Sequence, residues 1–499
     1  MIIVLCIIMH DGLTQKYQWS KMVTPDDQFV DPFQKIFEGK NGNFYIGMRF
    51  FNQIGIGTPG KKQKSSDLPS LNAGARYALF IGKYDIEGTN VWNKMIRTGG
   101  GGSQFSSTMT SITHGVEDRQ GNLYITGNFE KDIDFGNGVM LQSKGLNDLI
   151  IAKFDASGNA VWAKRAGGES TKLAEPGGYK VALDNQGNVL VLGQISGWHD
   201  AATAQDAKGK ASFEDQTLDI TIMMPSMLAK ISPDGTTQWV KLSNGMPTLN
   251  QLALDGANNI YMSGHAMHVG GWGDVEIKAK GLHDMVITKL DQNGDLAWYK
   301  NYGVGTGPYK QGDLDQDKIL GMAVSASGDI TVIGQIQSGG SIEGKKVVGE
   351  GLMNMAAFIA GFSTDGTLGE LEVMDLGKTG MLLGAIFKPD ADGNICALLN
   401  PLKPFTYGKE KIKDPGIYRF SNDTNMEQIG KITGMELKGY LVTAWDFLPA
   451  INDNIFTVGN LSTLADAANS KVVKKFWDKQ FEIPKGNPKT GVVYSRFSK

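Results

Sequence analysis

Asp148-Leu-Ile-Ile-Ala-Lys-Phe-Asp-Ala-Ser-Gly-Asn-Ala-Val-Trp-Ala-Lys164 reads as two strands joined by a tight turn. Apolar strand formers run up to Phe154, Asp155-Ala-Ser-Gly158 supplies the turn chemistry, and Ala160 to Lys164 extends again. The pattern returns at Tyr77 to Lys94, Met227 to Lys241 and Asp284 to Lys300. In each copy the turn glycine (Gly88, Gly158, Gly235, Gly294) stands four residues before a tryptophan (Trp92, Trp162, Trp239, Trp298). A glycine free to take positive φ closes the turn, and a large aromatic at fixed offset can wedge between neighbouring sheets. Degenerate copies occupy Ala357 to Val373 and Tyr418 to Lys431, and a further one begins at Val493 and stops at Lys499.

A second motif alternates with the first. Gly121-Asn-Leu-Tyr-Ile-Thr-Gly127 returns as Gly187-Asn-Val-Leu-Val-Leu-Gly193, Asn258-Asn-Ile-Tyr-Met-Ser-Gly264 and Gly328-Asp-Ile-Thr-Val-Ile-Gly334, with weaker copies from Gly42, Gly393 and Asp453. An apolar strand such as Val181-Ala-Leu-Asp184 precedes the copies, so each reads as a β-hairpin, and seven result. The copy at Val493 lacks its last strand. Tyr17-Gln-Trp-Ser-Lys21 carries the matching Trp-x-Lys ending at Trp19 with no turn before it. The expectation is that Tyr17 to Met22 pairs with Val493 to Ser498 and closes a ring of four-stranded blades through both ends of the chain.

The alternation of hydrophobic-Lys-Phe-Asp-x-x-Gly-x-x-x-Trp-x-Lys with Gly-Asn-x-Tyr-x-x-Gly, repeated every 60 to 80 residues along nearly the whole chain, resembles the seven-bladed β-propeller repeat family of exported bacterial proteins. The resemblance implies an all-β fold, one seven-bladed β-propeller of antiparallel four-stranded blades over residues 16–499. Met48 and Leu399 stand where a strand-ending Gly is expected, and the fifth and sixth copies lack the Trp. These departures affect local packing rather than the number of repeats.

Composition agrees with many short strands and tight turns: 65 Gly in 499 residues and 20% charged residues. A net charge of -3 gives no basic field, so no nucleic-acid partner is expected. Cys6 and Cys396 alone cannot build a disulfide framework or a cysteine zinc site. Met1 to Met9 is too short to span a membrane and has the length of a signal-peptide core, so residues 1–15 read as a truncated export signal. The protein is then expected in the periplasm, at the cell surface or outside the cell, and not membrane-spanning.

Four connections inside the repeats are long, at Ile195 to Ser226, His265 to His283, Gln335 to Met355 and Asn460 to Val492. With the inter-repeat connections 164–179 and 301–318, they fall on the face opposite the tight turns, where binding residues concentrate on a rigid scaffold. Trp198, His199, His265, His268, Trp272, Tyr309 and Trp477 are therefore the candidate binding residues. Trp and Tyr suit sugar stacking, whereas His265-Ala-Met-His268 is not by itself a ligand set. No cofactor is expected. Calcium is the one ion considered, at Asp313, Asp315 and Asp317 or at Asp390-Ala-Asp-Gly-Asn394, although neither run matches an EF-hand loop. Lys471 to Lys479 reads as a short basic helix.

The spacing of Gly and Trp is also similar to the tryptophan-docking repeats of quinoprotein dehydrogenases, but two distant cysteines and no matching acidic set do not fit them. No Ser-His-Asp or Cys-His signature stands out, and Gly99-Gly-Gly-Gly102 lacks the Lys-Ser/Thr of a phosphate cradle. The reading is a non-enzymatic binding or scaffold protein that contacts a protein or glycan partner in the cell envelope. The alternatives are a glycoside hydrolase or polysaccharide lyase, with carboxylates and His199 or His268 around the channel mouth, and a structural part of a larger surface assembly.

Overall fold

The computed structural model describes residues 16–25, 34–55, 70–99, 110–145, 147–168, 177–195, 209–221, 224–304, 317–349, 355–376, 386–399, 404–412, 416–431, 440–451, 454–463, 473–476, 479–482 and 490–498. The sequence-expected signal at residues 1–15 lies outside them. Among the described residues there is no α-helix, only a 3₁₀ turn at Lys40–Gly42 among antiparallel strands. No helix there is long and apolar enough to cross a membrane. The chain divides into two compact units, one of Met1–Ser143, Ala152–Ala163 and Gly430–Lys499, the other of Lys144–Ile151 and Lys164–Ile429.

The recurrent element is the propeller-like one, four antiparallel strands in a meander. In the first unit Lys35–Glu38, Phe44–Gly55, Ser70–Tyr84 and Asn90–Thr98 pair in that order. Tyr440–Ile451, Asn454–Thr463, Thr490–Ser498 and Lys16–Pro25 form another such sheet. Its fourth strand comes from the other end of the chain, in the register Tyr17↔Phe497, Lys21↔Tyr494 and Met22↔Val493. Phe44, Phe80, Tyr84, Leu448 and Phe456 share one core, with the Phe44 and Phe456 rings 4.9 Å apart. In the second unit Lys318–Val324, Ile330–Gln337, Met355–Phe362 and Leu368–Asp375 repeat the arrangement.

The tight turns share one hydrogen-bond plan. Asp118 Oδ1 accepts from the backbone N–H of Gln120 (2.9 Å) and Asn122 (2.8 Å), and Gly121 takes φ 85°. Asp155, Asp184, Asp255 and Asp291 do the same two and four residues on. An aspartate before a glycine turn thus satisfies local N–H groups that would otherwise go unpaired. Ionic contacts bind adjacent pieces to these turns. Lys83 Nζ lies 2.6 Å from Glu117 Oε1, both nearly buried, and Lys230 Nζ lies 2.9 Å from Asp184 Oδ2.

The repeat tryptophans cap the next tight turn of their own series. Trp92 Nε1 donates to Ala156 O (3.1 Å), and its ring lies so close to Gly158 that a Cβ there would approach to 2.7 Å. Trp298 Nε1 donates to Thr364 O (3.2 Å) and covers Gly366, and Trp239 covers Gly294. Trp162 packs on Tyr124 with ring centroids 6.0 Å apart. Trp19 lies in the strand Lys16–Pro25.

The long connections differ from the sequence expectation. Where they are described they are not loops but hairpins, and several join the outer strand of the preceding repeat, whereas Ser341–Ile342 with Lys345–Lys346 stays a separate two-stranded piece. Asp132–Gly136 pairs with Asn90–Thr98 through Arg97↔Asp134 and Thr98↔Ile133. Gly209–Phe213 pairs with Ala160–Gly168 through Ala166↔Phe213. The far ends of Ile260–Trp272 and Phe44–Gly55 do likewise, through Ser243↔Trp272 and Thr24↔Gly55, and Phe405–Tyr407 joins Leu368–Asp375 through Met374↔Tyr407. Strand edges that would otherwise be bare are covered in this way. The stretch read as a basic helix is also a hairpin, with Val473–Phe476 against Lys479–Glu482. The β-branched Val473 at its start favours a strand.

Candidate functional site

The inserted hairpins occupy the described parts of the long connections, and in five of them a buried side chain anchors the hairpin just before its turn. Phe135, Phe213, Trp272, Ile342 and Tyr407 hold this place, all nearly fully buried. The residue after each anchor takes positive φ: Gly136 82°, Glu214 51°, Gly273 60°, Glu343 47° and Gly408 55°. That backbone suits the two-residue reversals that match strand twist. Trp272 is 1% exposed, and its Nε1 donates to Gly294 O at 3.2 Å. Its ring therefore has no free face, and it serves as a core anchor rather than as a sugar platform.

His265 lies in the strand Ile260–Trp272, paired with Thr248 on one side and Met285 on the other. The next register pair but one brings His283 opposite Met267, and the two imidazole centroids are 5.1 Å apart in a T-shaped contact. Burial, then His283 and Lys318, lower His265 to about 4, so it is neutral at physiological pH. A neutral imidazole can accept a hydrogen bond or ligate a metal, but it cannot deliver a proton at pH 7. His268 stands apart from the pair, exposed at a bulge with φ 59°. Asn52 (φ 62°) occupies the corresponding bulge in Phe44–Gly55, so the position is a backbone corner where a strand becomes a hairpin.

Asp317 is buried, and both carboxylate oxygens accept backbone N–H groups, from Val304 at 3.0 Å and Gln337 at 2.7 Å. It ties the entry of one strand to the exit of its neighbour. Asp390 is committed to its turn, accepting from Asp392 N and Asn394 N, and pairs with Arg419 Nε at 2.9 Å. Asp317 is thus committed to backbone N–H groups, and Asp390 to its turn and Arg419. No group of three or more His, Cys, Asp or Glu among the described residues is placed to hold a metal ion. Trp198, His199, Tyr309, Asp313, Asp315 and Trp477 lie outside the described residues.

A corner that the sequence analysis does not single out occurs twice. Lys144-Gly-Leu-Asn-Asp148 and Lys280-Gly-Leu-His-Asp284 bend into the third strand around a buried carboxylate. Asp148 accepts from Lys144 N (2.9 Å) and Arg165 Nη1 (3.0 Å), and Asp284 from Lys280 N (2.9 Å), Gly281 N (3.2 Å) and Asn301 Nδ2 (2.9 Å). A Cβ at Gly167 or Gly303 would come within 2.0 Å of the respective carboxylate, which explains glycine there. The signal was legible as the repeated Lys-Gly-Leu-x-Asp spacing.

No protein-family model matches the chain. In sequence it is similar to an uncharacterised WD repeat-containing protein of Acanthamoeba polyphaga mimivirus, 22% identical over 209 residues, which are 39% of this chain and 14% of that protein's length. Among solved structures it is similar to a protein from Lactobacillus plantarum, at TM-score 0.36 and 13% identity, over 90% of this chain and 100% of that one. It is also similar to the rhamnogalacturonan lyase of Bacillus licheniformis, at TM-score 0.27 and 10% identity, over 88% and 89%.

Proposed function

We propose that the chain is an exported, non-enzymatic propeller of seven four-stranded blades, closed by Lys16–Pro25 against Thr490–Ser498, that holds a protein or glycan partner on the side built by its inserted hairpins. The observation that carries this reading is the anchoring of those hairpins. Connections long enough to be loops are instead paired to the preceding outer strand and pinned by Phe135, Phe213, Trp272 or Tyr407. A surface held in this way is preorganised, and little ordering cost remains when a partner docks. The WD-repeat relative supports a repeat propeller.

The test is co-purification of tagged full-length chain from solubilised envelope of the native organism. A stoichiometric partner that is lost when the inserted hairpins are altered is the expected result. A partner-free monomer that depolymerises an acidic polysaccharide would overturn the reading.

A further inference from the structure

The inserted hairpins expose their outer strands, and most of those edges carry charge. Gln216–Ile220 holds Asp219, the outer run Val275 to Lys278 holds Glu276 and Lys278, Lys345–Lys346 is wholly cationic, and Glu410–Ile412 holds Glu410 and Lys411. All of these charged side chains are exposed. Charge on an edge discourages pairing with another chain. Val139-Met-Leu-Gln142 has none, although it is the terminal strand of its sheet. Met140 there is 63% exposed, among the most exposed large apolar side chains described. Its neutral counterpart at Ser70 to Asn72 differs, because Leu71 packs on a core cluster.

The register fixes what surrounds this edge. Met140 lies opposite Asp134 and Gln142 opposite Asp132, so two carboxylates stand on the same sheet face as Met140, one strand behind the edge. Arg97 lies one strand further back, opposite Asp134, and Lys131 lies before the first strand at the corner. The other face of the hairpin turns Ile133 into the core. Among the described residues no further strand pairs with this edge, which offers the exposed Met140 and, one strand behind it, Asp132 and Asp134, the latter opposite Arg97.

We infer, resting on the binding role proposed above, that Val139–Gln142 accepts an extended polypeptide segment of the partner as an added β-strand, one that alternates apolar with basic residues. Backbone hydrogen bonds supply the affinity; the basic side chains fall on the face of Met140, Asp132 and Asp134, the apolar ones on the face of Val139 and Leu141, and the two carboxylates supply the selectivity.

The test uses the full chain with a capped six-residue peptide alternating Lys and Val, a Glu–Val counterpart, and calorimetry. Saturable binding of the Lys–Val peptide, weakened by salt, is expected, with the Glu–Val peptide bound at least ~10-fold more weakly. Met140→Lys should weaken binding by a similar factor and Met140→Thr should retain it; both substitutions fall at an exposed side chain, which leaves folding intact. Equal binding of the two peptides, or binding unchanged by Met140→Lys, overturns the inference. So does a concentration-dependent dimer that Met140→Lys abolishes, since a second copy would then be the occupant. If the envelope partner still co-purifies with Met140→Lys, the edge assignment fails while the binding role stands; if no partner is found with either chain, the binding role itself fails.

Discussion

The tight turns and the inserted hairpins are both reversals between two strands, yet they are held in opposite ways. A tight turn such as Asp118 to Asn122 closes its hydrogen bonds within five residues. An inserted hairpin such as Asp132–Gln142 is held by a strand of the preceding repeat and by one buried anchor. The first kind is bound to a fixed residue pattern, because the bonding geometry permits little else. The second tolerates Phe, Trp, Ile or Tyr, because a buried volume is all that is required.

The largest effect should separate these two modes. Trp272→Ala removes a fully buried anchor and is expected to lower stability by about 3–5 kcal/mol, read from the urea midpoint. Unchanged stability with impaired glycan binding would make Trp272 a platform after all. Asp284→Ala comes next, at about 2–3 kcal/mol, because it strands Lys280 N, Gly281 N and Asn301 Nδ2 in a buried corner. Asp291→Ala in an exposed tight turn should cost about 1 kcal/mol by the same measurement, which makes the contrast quantitative.

The pH response of the hairpin side should follow His265. Its folded-state value of about 4 lies below the ordinary 6.5, so the unfolded chain binds the extra proton more readily. Stability is therefore complete above pH 6.5 and falls as pH drops from 6.5 toward 4, by on the order of 3 kcal/mol. His265→Gln should flatten that part of the melting-temperature profile; an unaltered slope would assign it to other groups. The smallest effect is expected at the corner. His268→Gly relieves a left-handed backbone and should leave the melting temperature equal or slightly raised, within about 1 kcal/mol. A large loss there would show that the imidazole, rather than the backbone, matters.

The same contrast explains what could be read from the sequence. Asp155-Ala-Ser-Gly158 and the Gly-to-Trp spacing of four repeat because each is a local or nearest-neighbour constraint, and they mark the strand order residue by residue. The pairing of Tyr17 to Met22 with Val493 to Ser498 followed from a missing strand in the pattern. The hairpins in the long connections did not announce themselves. Phe135-Gly, Phe213-Glu and Trp272-Gly share only a buried residue and a positive-φ successor. For the candidate site, His265 and His283 are 18 positions apart and meet through strand pairing, whereas His268, three residues from His265, points to a corner. Strand register, which the sequence spacing does not show, sets the neighbour of His265.

The hairpin that crosses from one repeat to the sheet before it also bears on how such a chain can grow or be cut. A segment copied from tight turn to tight turn carries both the reaching hairpin and an outer strand to receive its successor, so tandem duplication keeps every junction complete. A cut placed between two meanders leaves one outer strand bare and one hairpin with nothing to lie against. The heritable module of this protein is therefore offset from the sheet that the eye would draw.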